Sequence, residues 1–278
     1  MNNNPVFINT CLFKKSFSRV RDYSKAYGNR IGFEILSMFD LPEFEQALRD
    51  NLDVLQEHQI AFHGPVFCAE HSAARGSAEY EETMRHVRRT LQYARILHSR
   101  HFTMHLNNCR VDPDKKDRML HNAHENYLEL CELFGAVGCP VYIENTGTIL
   151  QKNMLLDQQE FTDVCRDRRY EVLIDIGHAN ANGWDIPRLI DDLGPQIRAY
   201  HLHNNDGSHD QHHRLHDGTL DFTPVLRKIM TSTPHADLII EYTNPKLDGP
   251  GLHEDIREVM EYCAMKNKIR RTNNDKED

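Results

Sequence analysis

Nine side chains of types that bind metal ions recur along the second three-quarters of the chain. They are His63 in FHGP, His105 in FTMHLN, Glu144 in VYIENTG, Asp175 and His178 in LIDIGHANANGWD, His201 in YHLHNND, Asp210 and His212 in SHDQHHRLHDGTLDF, and Glu241 in LIIEYTNP. Taken singly, a histidine or glutamate in an apolar run is commonly a hydrogen-bonded core residue. Taken together they ask for more. Glu144, Asp175 and Glu241 sit among apolar neighbours, where a carboxylate is costly to bury unless paired or coordinated. Brought to one place, the three would repel, which raises their pKa values or demands a cation. Mixed imidazole and carboxylate donors suit zinc, manganese or iron better than calcium or magnesium. One ion uses about four to six donors, so nine imply two or three divalent ions with a bridging carboxylate, zinc or manganese favoured and iron possible. The simpler alternative is one ion on Glu144, Asp175, His201 and Glu241, with the other five residues orienting ligands and substrate. The chain's 18 histidines strengthen the expectation of metal, since neutral imidazole is the commonest side-chain ligand.

Something must carry these groups to one point. Short apolar runs alternate with helical patterns: residues 6–13, 30–36, 60–66, 101–107, 140–146, 171–177, 197–203 and 237–243. They start one βα repeat apart, the pattern of a parallel sheet. Helix signals fill the gaps. Asp40-Leu41-Pro42 predicts an N-cap and early proline before a helix running to about His58, and Ser77 predicts a cap over an acidic first turn with Arg95 and Arg100 near the other end. Gly138 and Pro140 stop the fourth helix, and Asp185-Ile186-Pro187 starts the sixth. Eight runs and eight helical stretches predict an α/β fold, a single (β/α)8 TIM barrel over residues 1–268, with 269–278 a polar, disordered tail. In such a barrel the chemistry sits at the C-terminal ends of the strands. The ends of strands three to eight, and the loop after the seventh, carry the nine ligand candidates.

The bulk properties are those of an ordinary soluble protein. The charge of −9 argues against a nucleic-acid partner held by a broad basic face, though it leaves a local patch open. No run of 18 apolar residues predicts a membrane span, and no leader pattern opens the chain. Seven cysteines without CxxC spacing suit a reducing compartment, so the cytoplasm is expected. Oligomeric state leaves no mark.

The motifs resemble the xylose-isomerase-like TIM-barrel superfamily, which contains endonuclease IV of base-excision repair and many sugar isomerases and epimerases. IENTG is similar to the endonuclease's strand-5 motif. LIDIGHANANGWD is similar to its Asp-Thr-Cys-His motif with a following Gly-Tyr-Asp, and HLHNNDGSHDQH to its His-Leu-Asn-Asp segment and later Asp-x-His. The resemblance implies three ions: one on His63, His105 and Glu144, a second on Glu144, Asp175, His201 and Glu241, and a third on His178, Asp210 and His212. The epimerase-type members imply only the second, with Glu144 and Glu241 doubling as acid and base. There are departures. FHGPVFCAEHSA keeps only the histidine of the endonuclease's strand-3 motif, and its DNA-penetrating loops have no counterpart. Asn204 stands where many relatives have Asp, and His216 where they often have Gly. These count against DNA repair more than against metals.

Three activities follow. A cluster of ions predicts a hydrolase of a phosphoester, either a small phosphorylated compound or abasic-type nucleic acid. A single ion predicts a sugar or sugar-phosphate isomerase or epimerase in which Glu144 and Glu241 move the proton and Glu34, in GFEIL, either binds sugar hydroxyls or forms a buried salt bridge. Iron in the same ligand set predicts oxidative chemistry. On this reading His105→Ala loses about one equivalent of metal. Arg110, Arg198 and Arg214 are candidate phosphate contacts or surface salt-bridge partners. Trp184 is a pocket wall or a packing residue, and Cys68 and Cys109 are ordinary loop thiols. His203, His209, His213 and His216 crowd the loop of the proposed ligands, and one of them could replace His201 or His212.

Overall fold

The eight apolar runs fold as eight strands: β1 (Val6–Asn9), β2 (Ile31–Leu36), β3 (Ile60–His63), β4 (Phe102–His105), β5 (Val141–Glu144), β6 (Val172–Asp175), β7 (Ile197–Leu202) and β8 (Asp237–Ile240). All pair in parallel in sequence order, and β8 returns to β1 to close the barrel, so the expected TIM barrel is the fold. The structure, a computed structural model, describes residues 6–14 and 16–274, with side chains to Ala264. Each strand is shorter than its apolar run. After β1 the run turns into a 3-10 segment over Thr10–Phe13.

Alternation along the strands divides the apolar side chains into two sets. Ile8, Phe33, Ile35, Phe62, Met104, Ile143, Ile174, Tyr200, Leu202 and Ile240 belong to the large core between barrel and helices. Phe7, Ala61, Tyr142, Leu173, Ala199 and Ile239 form a separate small cluster, the floor inside the barrel. Two residues further along the same strands, on the same inward face, come Asn9, His63, Glu144, Asp175, His201 and Glu241. Register aligns them across strands: Asn9 pairs with Glu34, His105 with Glu144, and Asp175 with His201. Period-two patterning thus stacks a polar layer on an apolar floor. Gly32 belongs to that floor, where a Cβ would meet the Phe7 ring at 2.6 Å.

The helices are α1 (Arg19–Tyr27), α2 (Phe44–Arg49), α3 (Leu52–Leu55), α4 (Ala78–Ile96), α5 (Lys116–Gly135), α6 (Gln158–Arg168), α7 (Ile176–Ala181), α8 (Ile186–Leu193), α9 (Phe222–Ser232) and α10 (Pro250–Asn274). Ser77 caps α4 through a hydrogen bond from Tyr80 N, and Asp185 caps α8, as their sequences predict. The helix expected from Asp40 to His58 differs. Asp40 is not its cap, and the segment breaks into α2 and α3 around Asp50 and Asn51, where Asn51 turns its amide back on Ala47 O at 2.8 Å. The backbone of α10 is helical to Asn274, and the rest of the polar tail expected over 269–278 lies outside the described residues. Among the described residues no helix is long and apolar enough to cross a membrane.

Candidate metal centre

All nine predicted residues converge at the C-terminal mouth of the barrel. Glu144, ending β5, is the hub. One oxygen, Oε2, lies 3.2 Å from both His63 Nε2 at the end of β3 and His105 Nε2 at the end of β4. The other, Oε1, lies 3.3 Å from His178 Nδ1 and 3.6 Å from His201 Nδ1. Asp175 ends β6 and caps α7 in the same step, its Oδ1 accepting His178 N at 2.6 Å. That cap explains the Asp-x-x-His spacing: α7 starts at once, so three residues carry the chain one turn back over the site. His178 Nε2 then faces Asp210 Oδ2 at 3.3 Å, and His212 Nε2 approaches Asp210 Oδ1 at 3.1 Å. Glu241, one residue past β8, lies 3.3 Å from His201 Nδ1.

Hydrogen bonds on the far side of four of the rings assign their tautomers. His63 Nδ1 donates to Gly64 O (2.9 Å), His105 Nδ1 to Asn108 Oδ1 (2.7 Å), and His212 Nδ1 to Glu241 O (2.8 Å). In each case the proton sits outside and the Nε2 lone pair points inward, which is how ligand histidines are set. His201 is reversed: Nε2 donates to Glu34 Oε2 at 2.8 Å, and Nδ1 faces the carboxylates.

Without an ion this arrangement is electrostatically unfinished. Burial raises the Glu144, Asp175 and Asp210 carboxyls, but the surrounding imidazoles outweigh it and hold all three below their ordinary range. Burial lowers His63 and His212, yet Glu144 and Asp210 respectively push both up to about 9. Even so, His105 Nε2, His178 Nδ1, His201 Nδ1 and Asp210 Oδ1 are buried without a hydrogen-bond partner. Buried polar atoms are rarely left so. Four sets of three lie close enough to hold a cation: His63, His105 and Glu144; Glu144, Asp175 and His178; His63, His201 and Glu241; and His203, His212 and Glu241. Mixed nitrogen and oxygen donors of this kind fit zinc, manganese or iron.

Several residues differ from expectation. Glu34 takes the salt-bridge role, not that of a sugar ligand: it lies under the centre, wholly buried, and is absent from the cavity wall. None of the three arginines reaches the centre. Arg198 is at the start of β7, the opposite end of the barrel, bound to Glu171 at 2.7 Å; Arg214 is held by Asp255 and Glu254; Arg110 lines a separate cleft. Trp184 packs beside Phe161. Cys68 and Cys109 are exposed, and burial followed by Glu70 raises the Cys109 thiol to about 11, the reverse of an activated thiolate. Of the crowded loop histidines, only His203 belongs to the centre. Its Nε2 lies 3.0 Å from Asp175 Oδ2, and its ring fills the space over Gly177, where a Cβ would stand 1.9 Å away. Asn204 holds the loop closed through Leu215 O and Leu220 O. Sequence reasoning missed Asn9 and Asn108, which carry no charge to mark them, and the wall residues Cys11, Leu36, Val66, Phe67 and Thr243. The cavity over the centre has a volume of about 210 Å³.

Residues 26–264 match the family described as xylose isomerase-like TIM barrel. The chain belongs to that family. Among solved structures, this xylose isomerase-like barrel is similar to a D-tagatose 3-epimerase-like protein, with a TM-score of 0.76, 18% identity, and coverage of 95% of this chain and 98% of that one. It is also similar to the IolI protein with a bound zinc atom (TM-score 0.71, 14% identity, 95% and 96% covered) and to AP endonuclease family 2 from Brucella melitensis (0.66, 18%, 86% and 93%). At these identities the likeness is one of fold. An uncharacterized protein of Methanocaldococcus jannaschii is 24% identical over 154 residues, 53% of this chain and 52% of that protein. The chain thus spans about half the length of the curated relative it matches.

Proposed function

We propose that this barrel is a metal-dependent hydrolase of a small phosphoester, holding two or three divalent ions at its mouth. The observation that carries the reading is the surplus of ligands. An ion on Glu144, Asp175, His201 and Glu241 leaves His63, His105, Asp210 and His212 without work, yet all four aim at the same cluster and three have their tautomers set for it. Under this reading His63 and His105 hold one ion with Glu144. Asp175, His201 and Glu241 share a second with Glu144, and His178, Asp210 and His212 hold a third. Such ions supply Lewis acidity, drawing charge from a phosphoryl oxygen and making a nearby water more acidic.

The chain's own groups supply the rest. Glu144 would help hold two of the ions, since one of its oxygens faces His63 and His105 and the other faces His178 and His201. Leu36, Val66 and Phe67 give the cavity an apolar wall on one side. A volume of about 210 Å³ suits a small substrate rather than a polymer. Among the described residues no lysine or arginine lines the cavity, so the ions themselves must neutralise the phosphate, and nucleic acid is disfavoured.

A second reading, isomerisation or epimerisation of a sugar or sugar phosphate, has one observation behind it. Glu144 and Glu241 flank His201 Nδ1 at 3.6 and 3.3 Å, an arrangement that lets two carboxylates act from either side of one bound carbon. The D-tagatose 3-epimerase-like neighbour adds to it by fold alone.

Metal analysis of the untreated protein separates the readings. About two to three equivalents of zinc or manganese per chain, about one of them lost in His105→Ala, together with turnover of a phosphomonoester or cyclic phosphate, is the expected result. About one equivalent, untouched by His63→Ala or Asp210→Ala, with activity on ketoses, gives the site to the epimerase reading. Iron as the resident ion points to oxidative chemistry.

A further inference from the structure

We infer that Glu34 is a positioning residue of the metal centre: a carboxylate sealed inside the barrel that sets the tautomer of His201 and, through Asn9, the orientation of Glu241. The inference rests on the reading that the cluster holds metal, but not on which reaction it performs.

Glu34 is wholly buried, and nothing from the cavity touches it. Its Oε2 accepts His201 Nε2 at 2.8 Å and Asn9 Nδ2 at 2.7 Å, and its Oε1 accepts Thr103 Oγ1 at 3.1 Å. Asn9 is locked in turn. Its Oδ1 takes the backbone N–H of Cys11 at 2.8 Å, which fixes the amide with Nδ2 facing the carboxylates, and Nδ2 also donates to Glu241 Oε1 at 3.0 Å. One carboxylate therefore governs two ligand residues on neighbouring sides of the centre, β7 and the end of β8.

The consequence for His201 is specific. A proton on Nε2 leaves the Nδ1 lone pair free, and that atom lies 3.3 Å from Glu241, 3.6 Å from Glu144 and 3.6 Å from Asp175. The acceptors that set the rings of His63, His212 and His105 are neutral, the carbonyls of Gly64 and Glu241 and the Asn108 amide. Of His63, His105, His201 and His212, His201 is the one backed by a carboxylate that lies outside the ligand set, which makes it the strongest imidazole donor of those four and the position around it the tightest among theirs. A buried pair kept for stability alone would satisfy both ends of the ring. Here the inner nitrogen is left without a hydrogen bond.

The test uses zinc-loaded protein and a competing chromophoric chelator. Glu34→Gln keeps the shape and removes the charge. We expect the most tightly held equivalent to weaken by about 10- to 100-fold, with the weaker equivalents unmoved. Cobalt-substituted protein should show a shifted visible spectrum in the variant, a change that a merely structural role would not produce. Asn9→Ser should weaken the same equivalent less. If the substitution impairs folding, the wild-type chain still decides: imidazole ¹⁵N–¹H correlations must put the His201 proton on Nε2, and a proton on Nδ1 overturns the proposal. An unchanged competition curve and cobalt spectrum in Glu34→Gln overturn it as well. Wild-type protein that takes up no metal defeats the metal-centre reading itself, and this inference with it.

Discussion

The two ends of the barrel treat carboxylates in opposite ways, whether buried like Asp237 or half-exposed like Glu171. At the N-terminal end, Asp237 at the start of β8 receives two hydrogen bonds from Arg100, both 3.1 Å, and Glu171 meets Arg198 at 2.7 Å. Each acid there has a guanidinium from the chain itself, a permanently charged partner that no proton or ion need replace. At the C-terminal end, among the described residues, Glu144, Asp175, Asp210 and Glu241 meet no lysine or arginine, only imidazoles and the neutral N–H groups of Asn9 and His178, and His105 Nε2, His178 Nδ1, His201 Nδ1 and Asp210 Oδ1 are left without partners. The same strands, with the same alternation, thus end in a finished electrostatic structure below and an open one above. Histidine is the neutral ligand that leaves room for an external cation, and arginine is the built-in one. On the metal-dependent reading proposed above, the difference separates an end made for stability from one made for binding.

The largest expected effect comes from removing the hub of the open end. Glu144→Ala takes away an oxygen facing His63 and His105 and another facing His178 and His201. Bound metal should fall by at least about one equivalent and kcat/KM by roughly 1000-fold or more, since a bridging group and a proposed reacting group go together. Full metal content in this variant would collapse the contrast between the two ends.

Much of this was readable in the sequence. The eight strands were, because inward and outward faces of a barrel strand are both apolar over most of its length and show as unbroken runs. Six of the nine ligand candidates were, because a histidine or carboxylate interrupts a run near its C-terminal end, and the other three follow in the loops just after the sixth and seventh runs. What stayed hidden depended on contacts between distant segments. Nothing in GFEIL says that Glu34 meets His201 across 167 residues, or in FINT that Asn9 meets Glu241 across 232. Asn108 lies three residues after a predicted ligand and looks like any loop asparagine until its Oδ1 is found on His105. His203 could not be told from its neighbours, because what selects it is the bare Gly177 surface it rests on. Arg198, by contrast, was excludable: it precedes His201 by three residues in the same strand and belongs to the other end.

A smaller effect should appear when metal is stripped and pH is varied. Burial lowers His63 and His212, but Glu144 and Asp210 outweigh it and raise both from 6.5 to about 9. A raised histidine pKa in the folded state stabilises fully below the unfolded value and is lost as pH rises through the folded one. The stripped protein should therefore lose thermal stability between about pH 6.5 and 9. Metal needs the same nitrogens deprotonated, so loaded protein should hold its Tm or gain across that window. Melting curves of both forms at matched pH check this. The gap between them should widen toward pH 9, and parallel curves would mean that protons and metal do not compete at these rings.

The smallest effect belongs to the closed end. Asp237→Asn keeps the shape of the side chain and discards the charge that Arg100 faces. Asp237 is buried and Arg100 is about a third exposed, so solvent screens the pair in part, and the expected loss is about 1–2 kcal/mol. For a barrel of this size that is a fall in Tm of roughly 2–8 °C. Metal content and its pH dependence should not change. Glu241 lies four residues further along the same segment, about 13 Å away at the rise of an extended strand, and the apolar floor of Tyr142, Leu173 and Ile239 intervenes. Neutralising a carboxylate above that floor should remove an ion, and neutralising one below it should only soften the fold. If Asp237→Asn lowered the metal count, the floor would not insulate the two ends, and the barrel would have to be treated as one coupled electrostatic unit.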